Sequence, residues 1–359
     1  MTRFSGLGPA VPAVLLALLL TACQSNAPVL KPVVVPATPV DDTPTISPRV
    51  AAAADALTKM AAMQDRLYRV AAPLLIGNAE LCKTQARNLL GFTARNRYWY
   101  PGDYSEAAQV AFGMGERLQV TGVLAGSGAA RAGLKRGDEL ISASGKTLPT
   151  GPNASSSVGA VFGPLVASRA NLAMAIERDG KGKLLSIPVT RACGFAIELG
   201  NADNINSYAD GNRVMVTRGM LHFAQSDDEL AVLLAKGIAH NILGHATLTR
   251  STSTIGSVID NLGNVRPDTS MLIGSSGIKA MPADLDVAAD HLSLYLVTRA
   301  GYSVDAAAPF WKRLAATYPA SVLNGYVANH PATAARLAGI DKGVAEIKSK
   351  QGAKKTLTP

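Results

Sequence analysis

The arrangement of apolar residues changes twice along the 359-residue chain, which indicates three differently built segments. The first, from Arg49 to about Ala72, is rich in Ala, Leu and Met, and Leu57, Met60 and Val70 fall near one face of a helix. We expect Pro73 to interrupt this helix, because proline removes a backbone donor.

From about Tyr104 the pattern becomes the alternation typical of short strands separated by Gly-rich turns. Strands are predicted at Leu118–Val123, Glu139–Ala143 and Lys183–Val189, with a short helix at Ala129–Leu134. A Gly- and Ser-rich loop, Gly151–Gly163, is predicted to lead into a helix near Val166–Ile176. Ahead of these elements, Arg97–Gly102 is a turn-like run rich in aromatic residues.

A third segment begins with two predicted strands in Asn201–Thr217, joined by the hairpin turn Asp210-Gly211. A helix then starts with Ser226 and Glu229 at capping-box spacing and runs to His245. This helix is apolar enough to be buried, so a lysine in its middle, Lys236, must find a partner, lower its pKa or reach water. The neighbouring Gly237 costs roughly 1 kcal/mol relative to alanine in a helix.

The N-terminal residues are predicted to form an export signal. Arg3 precedes a short apolar run, Val11–Leu20, that ends in Leu20-Thr21-Ala22-Cys23. This run resembles the lipobox of bacterial lipoproteins, in which the cysteine is lipidated and becomes the first mature residue. Gln24 follows the cysteine where inner-membrane lipoproteins usually carry Asp, so the expected location is the periplasmic face of the outer membrane. Six prolines between Gln24 and Pro48 favour an extended tether.

Composition fits a globular body but leaves the partner open. Hydrophobic residues make up 48% of the chain and charged residues 17%, and the formal net charge is +9. Such a charge suits nucleic acid, anionic lipid or cell-wall polymer, but no dense Lys/Arg patch with interleaved aromatics occurs in the expected folded body, so no nucleic-acid partner is expected. The clearest basic cluster is at the C-terminus, where a solvated, frayed tail is expected: Lys342, Lys348, Lys350, Lys354 and Lys355.

The stretch Ala129–Ile141 closely resembles PDZ domains of bacterial envelope proteases, over roughly residues 105–190. PDZ domains add an extended peptide to a sheet edge and often capture its terminal carboxylate. The resemblance therefore implies a peptide groove. The predicted carboxylate loop is Phe112-Gly113-Met114-Gly115, whose small residues could leave backbone N–H groups exposed; the alternative is that these glycines only form a turn.

From about Gly194 to Ile340 the chain resembles the HtpX-like zinc metallopeptidases, which include the CAAX prenyl proteases. That family's helix carries His-Glu-x-x-His, with two zinc ligands and a general base. The matching stretch here is Lys236-Gly237-Ile238-Ala239-His240, so Lys236 takes the place of the first ligand and Gly237 that of the base. Only His240 keeps its family identity.

Two further family motifs have counterparts. The Glu-x-x-x-Asp motif is matched by Asp286 to Asp290, which shortens the third ligand to Asp286 and keeps Asp290 behind the ligands. A His-Pro pair that stabilises the oxyanion is matched by His330-Pro331. We expect no zinc and no normal hydrolysis, and hypothesise that Lys236 replaces the charge of the metal by pairing with Asp286 or Asp290.

Two other groups of residues bear on metal binding and on covalent cross-linking. His240 and His245 are five residues apart, which predicts different sides of a helix and a poor shared metal site. Cys82 and Cys193 lie just outside the two ends of the PDZ-like segment, and in an exported chain they suggest a disulfide. The alternative is a pair of free thiols.

The predicted fold class is α+β: a PDZ β-barrel-like module and a mainly helical, zincin-like domain with a small edge sheet. The predicted boundaries are 1–22 signal peptide, 23–48 tether, 49–104 helical segment, 105–190 PDZ domain, 191–345 metallopeptidase-like domain and 346–359 basic tail. The favoured function is a pseudopeptidase that binds peptides or unfolded proteins as a chaperone or adaptor in envelope quality control. The alternatives are a residual zinc metalloendopeptidase and a structural envelope lipoprotein.

Overall fold

The computed structural model describes residues 46–168, 171–246, 283–317 and 334–359. The helices there are α1 (Pro48–Gly77), α2 (Asp103–Phe112), α3 (Gly128–Arg131), α4 (Ala154–Ala167), α5 (Arg218–Phe223), α6 (Asp227–Ile242), α7 (Ala283–Arg299), α8 (Ala307–Thr317) and α9 (Ala334–Gly352). The strands are β1 (Ala86–Leu89), β2 (Phe92–Arg95), β3 (Gln119–Val123), β4 (Glu139–Ala143), β5 (Lys146–Thr147), β6 (Leu172–Arg178), β7 (Lys181–Ile187), β8 (Thr190–Cys193), β9 (Ala196–Gly200), β10 (Ser207–Ala209) and β11 (Arg213–Thr217). None of these helices combines the length and apolarity needed to cross a bilayer.

The strands form three sheets. The largest has the order β2-β3-β4-β6-β7, all antiparallel, with β5 added to β4. A three-stranded sheet places β11 between β10, which is antiparallel to it, and β9, which is parallel. In a third sheet β1 pairs with β8. The predicted hairpin around Asp210-Gly211 is confirmed, and so is the mixture of helix and sheet.

The large sheet differs from the expected module in two ways. It begins with β2, inside the segment 49–104 that was predicted to be helical. Within the described residues it is not a closed barrel, because β2 and β7 remain as its two ends. The expected barrel-like closure is therefore replaced by an open sheet.

The helix expected near Val166–Ile176 is wrong. The Gly- and Ser-rich stretch forms α4 instead, and the following apolar residues form β6. Apolar side chains of α4 recur at helical spacing and pack on the sheet core, and those of β6 alternate between buried and more exposed: Val158, Val161, Phe162 and Leu165 in the helix, Leu172, Met174 and Ile176 in the strand. Periodicity thus outweighs the low helix propensity of Gly and Ser.

The expected interruption at Pro73 is also wrong, because α1 continues through it to Gly77. Leu74, just beyond the proline, is buried. The buried amide of Asn78 donates to the carbonyl oxygens of Leu74 at 2.9 Å and Leu296 at 3.0 Å. Burial and these hydrogen bonds offset the donor that proline lacks.

Two main cores organise the chain. One surrounds α6, which is buried along nearly its whole length by α1, α7, α8 and the three-stranded sheet. The other lies between the large sheet and α4.

The predicted pairing of Cys82 with Cys193 is confirmed as a disulfide, with a Cα–Cα distance of 5.5 Å. Both residues are buried in the core around α6. The adjoining β1–β8 ladder pairs Ala86 with Cys193. The disulfide and the ladder therefore join the segment that leads into the large sheet to the segment that leaves it.

The C-terminal segment is not a frayed tail. Helix α9 runs to Gly352, well past the predicted boundary at residue 346. Leu357 packs against the main core, its carbonyl oxygen accepts from Arg299 at 3.3 Å, and Lys350 donates to the carbonyl oxygen of Thr358 at 2.9 Å. Apolar and backbone contacts hold the end of the chain to the helical body.

Replacement of both half-cystines, Cys82→Ala with Cys193→Ala, should lower the free energy of unfolding by about 4 kcal/mol, because the bridge closes a loop of 111 residues in the unfolded chain. Denaturant unfolding of the oxidised protein, the reduced protein and the double variant checks this. The reduced protein and the variant should agree. An unchanged midpoint in the variant contradicts a stabilising role for the bridge.

Candidate functional site

Helix α6 carries the candidate site and is fixed at both ends. At its start, Ser226 Oγ accepts from the N–H of Glu229 at 3.2 Å, and Arg313 binds the Glu229 carboxylate with two hydrogen bonds of 2.6 Å. At its end, Asn241 accepts from the N–H of Gly211 at 2.7 Å and donates to the carbonyl oxygen of Arg213 at 3.0 Å. The β10–β11 hairpin is thereby held on the helix.

Lys236 lies in the middle of α6 and is 1% exposed. Its Nζ is 2.8 Å from Asp286 Oδ1, 2.9 Å from the Asp286 carbonyl oxygen and 2.5 Å from Asp290 Oδ1. Three acceptors match the three donors of an ammonium group. The hypothesis that Lys236 pairs with these aspartates is confirmed, and both take part.

A second buried cation completes the cluster. Arg336 on α9 donates from Nε and Nη2 to Asp290, at 2.6 and 2.9 Å, and its Nε is 3.3 Å from Asp286 Oδ2. Its guanidinium carbon lies 4.5 Å from the ring centroid of Trp311, a cation–π contact. Two cations and two carboxylates therefore balance each other in the core; we call these four residues the ionic cluster.

Burial and charge act in opposite directions within the ionic cluster. Burial lowers the pKa of Lys236 and Arg336 lowers it further, against the pull of Asp290 and Asp286. Burial disfavours the ionised form of Asp290, but hydrogen bonds from Arg336 and the charge of Lys236 outweigh it and hold the Asp290 pKa below its usual value. Given the saturated contacts around Nζ, we take the cluster as ionic.

Gly237 faces strand β11 at very short range. A Cβ built on Gly237 would lie 2.7 Å from Cγ1 and 3.0 Å from Cγ2 of Val214. Val214 is fully buried, and a β-branched side chain on a strand has little freedom to move aside. The backbone position that would carry the general base is therefore closed to any side chain while Val214 stays in place.

The two histidines at the end of α6 lie together, so their expected separation is wrong. Their Nδ1 atoms are 2.8 Å apart. The helix ends at Ile242, and Gly244, with φ +70°, turns the chain back so that His245 reaches His240. Burial lowers the pKa of both, that of His245 to about 4, so the neutral rings share one proton between them.

These residues do not fit a catalytic zinc ion. Zinc ligands must be free of protons and of competing cations. Lys236 fills the space between the two carboxylates, and His240 Nε2 is 3.5 Å from the same Asp286 oxygen that Lys236 contacts. The remaining predicted residue, His330, lies outside the described residues, as does Cys23.

Comparison with known proteins agrees with the helix motifs. Residues 170–344 match the sequence model of peptidase family M48. This segment is similar to that family, and we call it the M48 domain. The match begins ahead of the predicted boundary at residue 191 and takes in β6 and β7, which the structure places in the large sheet.

One protein with a similar sequence is the mitochondrial metalloendopeptidase OMA1 of Schizosaccharomyces pombe, which is 25% identical to this chain over 150 residues. The match covers 39% of this chain and 44% of that relative, so it spans less than half of the relative's length. Among solved structures, the HtrA3 PDZ domain bound to a phage-derived ligand (FGRWV) matches 30% of this chain and 88% of its own, with 17% identity and a TM-score of 0.22. That overlap is too loose to establish a shared fold.

Outside the core of the M48 domain, β2 forms an edge that sequence reasoning missed. It has no strand on its outer side within the described part of the chain. Its Phe92 meets Phe162 of α4 edge to face, with ring centroids 6.0 Å apart. Gly91 precedes the strand and has a φ of +81°. A Cβ built on Gly91 would lie 2.4 Å from the Cβ of Ser127, so only glycine fits there. The signal available in the sequence was the apolar run around this glycine, Leu89-Leu90-Gly91-Phe92.

In the segment Phe112–Gly115, Phe112 is the last residue of α2 and the other three follow the helix. Gly113 adopts the left-handed conformation, and its N–H donates to the carbonyl oxygen of Gln109 at 2.9 Å. The N–H of Met114 donates to the carbonyl oxygen of Ala108 at 3.4 Å, and the Met114 side chain is buried. The carboxylate-loop prediction required free backbone N–H groups in this segment. Those of Gly113 and Met114 already donate to carbonyl oxygens of α2.

The substitution Lys236→Met should lower the free energy of unfolding by about 3–5 kcal/mol, because two buried carboxylates would share the single remaining cation. Lys59→Met is the matched control, since Lys59 pairs with Asp55 on the surface, where both side chains are more than half exposed; it should change stability little. Equal effects of the two substitutions would show that the buried cation has no special role.

The substitution Gly237→Ala should destabilise the protein by about 1–3 kcal/mol through overpacking, although alanine favours helix. Val214→Ala should relieve this cost in the double variant, giving a favourable coupling in a double-mutant cycle measured by denaturant unfolding. Gly159→Ala in α4, where a Cβ meets nothing within 4 Å, is the control and should stabilise. A stabilising Gly237→Ala contradicts the closed packing against β11.

Proposed function

We propose that this protein is a pseudopeptidase: an envelope lipoprotein whose M48 domain has lost hydrolysis and which binds peptides or unfolded proteins as a chaperone or adaptor. The ionic cluster is the observation that carries the proposal. It occupies the place of the family's metal ligands with two cations and two carboxylates that satisfy each other.

The loss of hydrolysis follows from charge and from space. Lys236 supplies a fixed positive charge between Asp286 and Asp290, so a divalent cation would have to displace an ammonium from three acceptors. At position 237 there is neither a carboxylate to accept the proton of a water molecule nor room for one beside Val214. Restoring the motif alone would therefore not restore the site.

Binding is assigned to the outer edge of β2. An edge strand beside a helix offers backbone hydrogen bonds to an extended peptide and apolar contacts to its alternate side chains. Half-buried apolar side chains surround this edge: Leu90, Phe92 and Ala94 on the strand side, Val158, Val161 and Leu165 on α4. The groove is thus suited to peptides with apolar side chains, such as unfolded segments expose.

The location is proposed from the N-terminal sequence. The lipobox-like run ending at Cys23 supports lipid anchoring, and Gln24 supports the outer membrane. The disulfide between Cys82 and Cys193 agrees with an oxidising compartment.

Metal content and peptidase activity test the loss of catalysis. Residues 24–359 should purify without stoichiometric zinc and leave an unfolded protein substrate uncut. The matched comparison is Lys236→His/Gly237→Glu/Asp286→Glu with and without Val214→Ala. We expect zinc uptake only when Val214 is also truncated, because the glutamate needs that space. Stoichiometric zinc together with cleavage in the natural sequence would falsify the proposal.

Peptide binding tests the groove. Val161→Asp should weaken binding of an apolar, extended peptide selected from a library by about tenfold or more, because a carboxylate would enter an apolar contact surface. Leu184→Asp is the control, since Leu184 is exposed on β7 at the opposite end of the sheet. Fluorescence anisotropy measures both. Equal loss in both variants, or no binding by the natural sequence, counts against the groove.

A further inference from the structure

Aromatic residues are sparse in this chain but concentrated at one place. Trp, Tyr and Phe together make up 5% of the sequence, yet Tyr98-Trp99-Tyr100 and Tyr104 fall within seven residues. They occupy the 3₁₀ turn Arg97–Trp99 and the start of α2. Neither the ionic cluster nor the groove beside β2 uses them.

Two of these aromatic side chains are more exposed than apolar rings usually are. Trp99 is 41% exposed and Tyr104 44%, whereas the second tryptophan, Trp311, is 2% exposed. Ile46, just ahead of α1, is 50% exposed. A single exposed apolar residue is common on protein surfaces. A cluster of them often marks a surface that binds a partner or a membrane.

The exposed groups lie at one end of the α1–α2 pair. Arg49 in the first turn of α1 forms an ion pair of 2.9 Å with Asp103, the first residue of α2. The N–H of Tyr104 donates to the carbonyl oxygen of Pro101 at 3.2 Å, which joins α2 to the aromatic turn. A small core of Val50 and alanines holds the two helices together. We call the exposed Ile46, Trp99 and Tyr104, together with the half-buried Tyr100, the aromatic patch.

Cations accompany the aromatic patch. The guanidinium of Arg95 stacks 4.5 Å from the Trp99 ring centroid, and the Arg49 side chain is 86% exposed beside Asp103. Two carboxylates at this turn are engaged, Asp103 by Arg49 at 2.9 Å and Glu116 by the hydroxyl of Tyr98 at 2.8 Å. Tryptophan and tyrosine combine an apolar ring with a polar group, and together with arginine they are enriched where a protein meets lipid headgroups.

We propose that the aromatic patch docks on the headgroup region of a lipid bilayer. Its place in the chain supports this occupant, because the tether that leads from Cys23 joins the folded body at Ile46. The inference rests on the proposed lipid anchoring for its setting. The tether would bring the body to the bilayer, and the patch would orient it there.

Vesicle binding by the unlipidated residues 24–359 tests the patch without the anchor. The described part of this segment, from Ile46 onward, forms a compact unit with its own cores. Vesicles of phosphatidylethanolamine and phosphatidylglycerol should co-sediment the protein. They should also shift tryptophan emission to the blue, a signal that reports Trp99 because Trp311 is already buried.

The variant Trp99→Ser/Tyr104→Ser should bind these vesicles about tenfold more weakly or worse, because both aromatic rings are lost. The control Leu184→Ser, which removes an exposed apolar group on β7, the last strand of the sheet within the described residues, should bind normally. The denaturant midpoints of the variants, compared with that of the natural sequence, establish that both remain folded.

Three outcomes separate the ideas. Vesicle binding that survives in Trp99→Ser/Tyr104→Ser, or an absence of binding by the natural sequence, overturns the membrane assignment. Vesicle binding that is lost in that variant while peptide affinity is kept supports it. Val161→Asp should lower peptide affinity and leave vesicle binding unchanged, so failure of the groove and failure of the patch are read separately.

Discussion

The packing of the M48 domain depends on the buried ammonium group of Lys236. An isolated ammonium in an apolar core is strongly unfavourable, and it persists only where acceptors surround it. Three helices contribute to that environment: α6 brings the lysine, α7 brings Asp286 and Asp290, and α9 brings Arg336. Removing any one member leaves a charge in the core without its counterpart, so the packing of these helices depends on the cluster as a set.

The close packing of β11 on α6 depends on the glycine at position 237, which stands where the family has its general base. With glycine at position 237, the helix presents bare backbone to β11, and Val214 fills the space at a distance that no side chain at 237 would permit. Asn241 fixes the hairpin there through its hydrogen bonds to Gly211 and Arg213. Loss of the base and close docking of the sheet are therefore one structural change, since either alone would leave a void or a clash.

The sequence indicated the parts of the site that depend on short, ordered motifs. Lys236, Asp286 and Asp290 could be placed because the resemblance to the HtpX-like peptidases aligns them with two short motifs whose residues meet at one site in that family. Arg336 could not be found in this way, because no local signal marks an arginine that reaches a core from a distant helix. The His240–His245 pair was misjudged because Gly244 reverses the chain within one turn, and α4 was missed because its glycines and serines obscured a regular apolar face.

The disulfide and the β1–β8 ladder have a consequence for how the chain is assembled. Cys82 and Cys193 bring the two points at which the backbone leaves the helical body and returns to it within 5.5 Å between Cα atoms. The large sheet with α2, α3 and α4 is thus an insertion in the chain: the backbone leaves the helical body at Cys82 and returns to it at Cys193. Such an arrangement makes the sheet a replaceable insert: a short turn could bridge the two points, and the recognition surface could change or disappear while the body that carries the ionic cluster kept its connectivity.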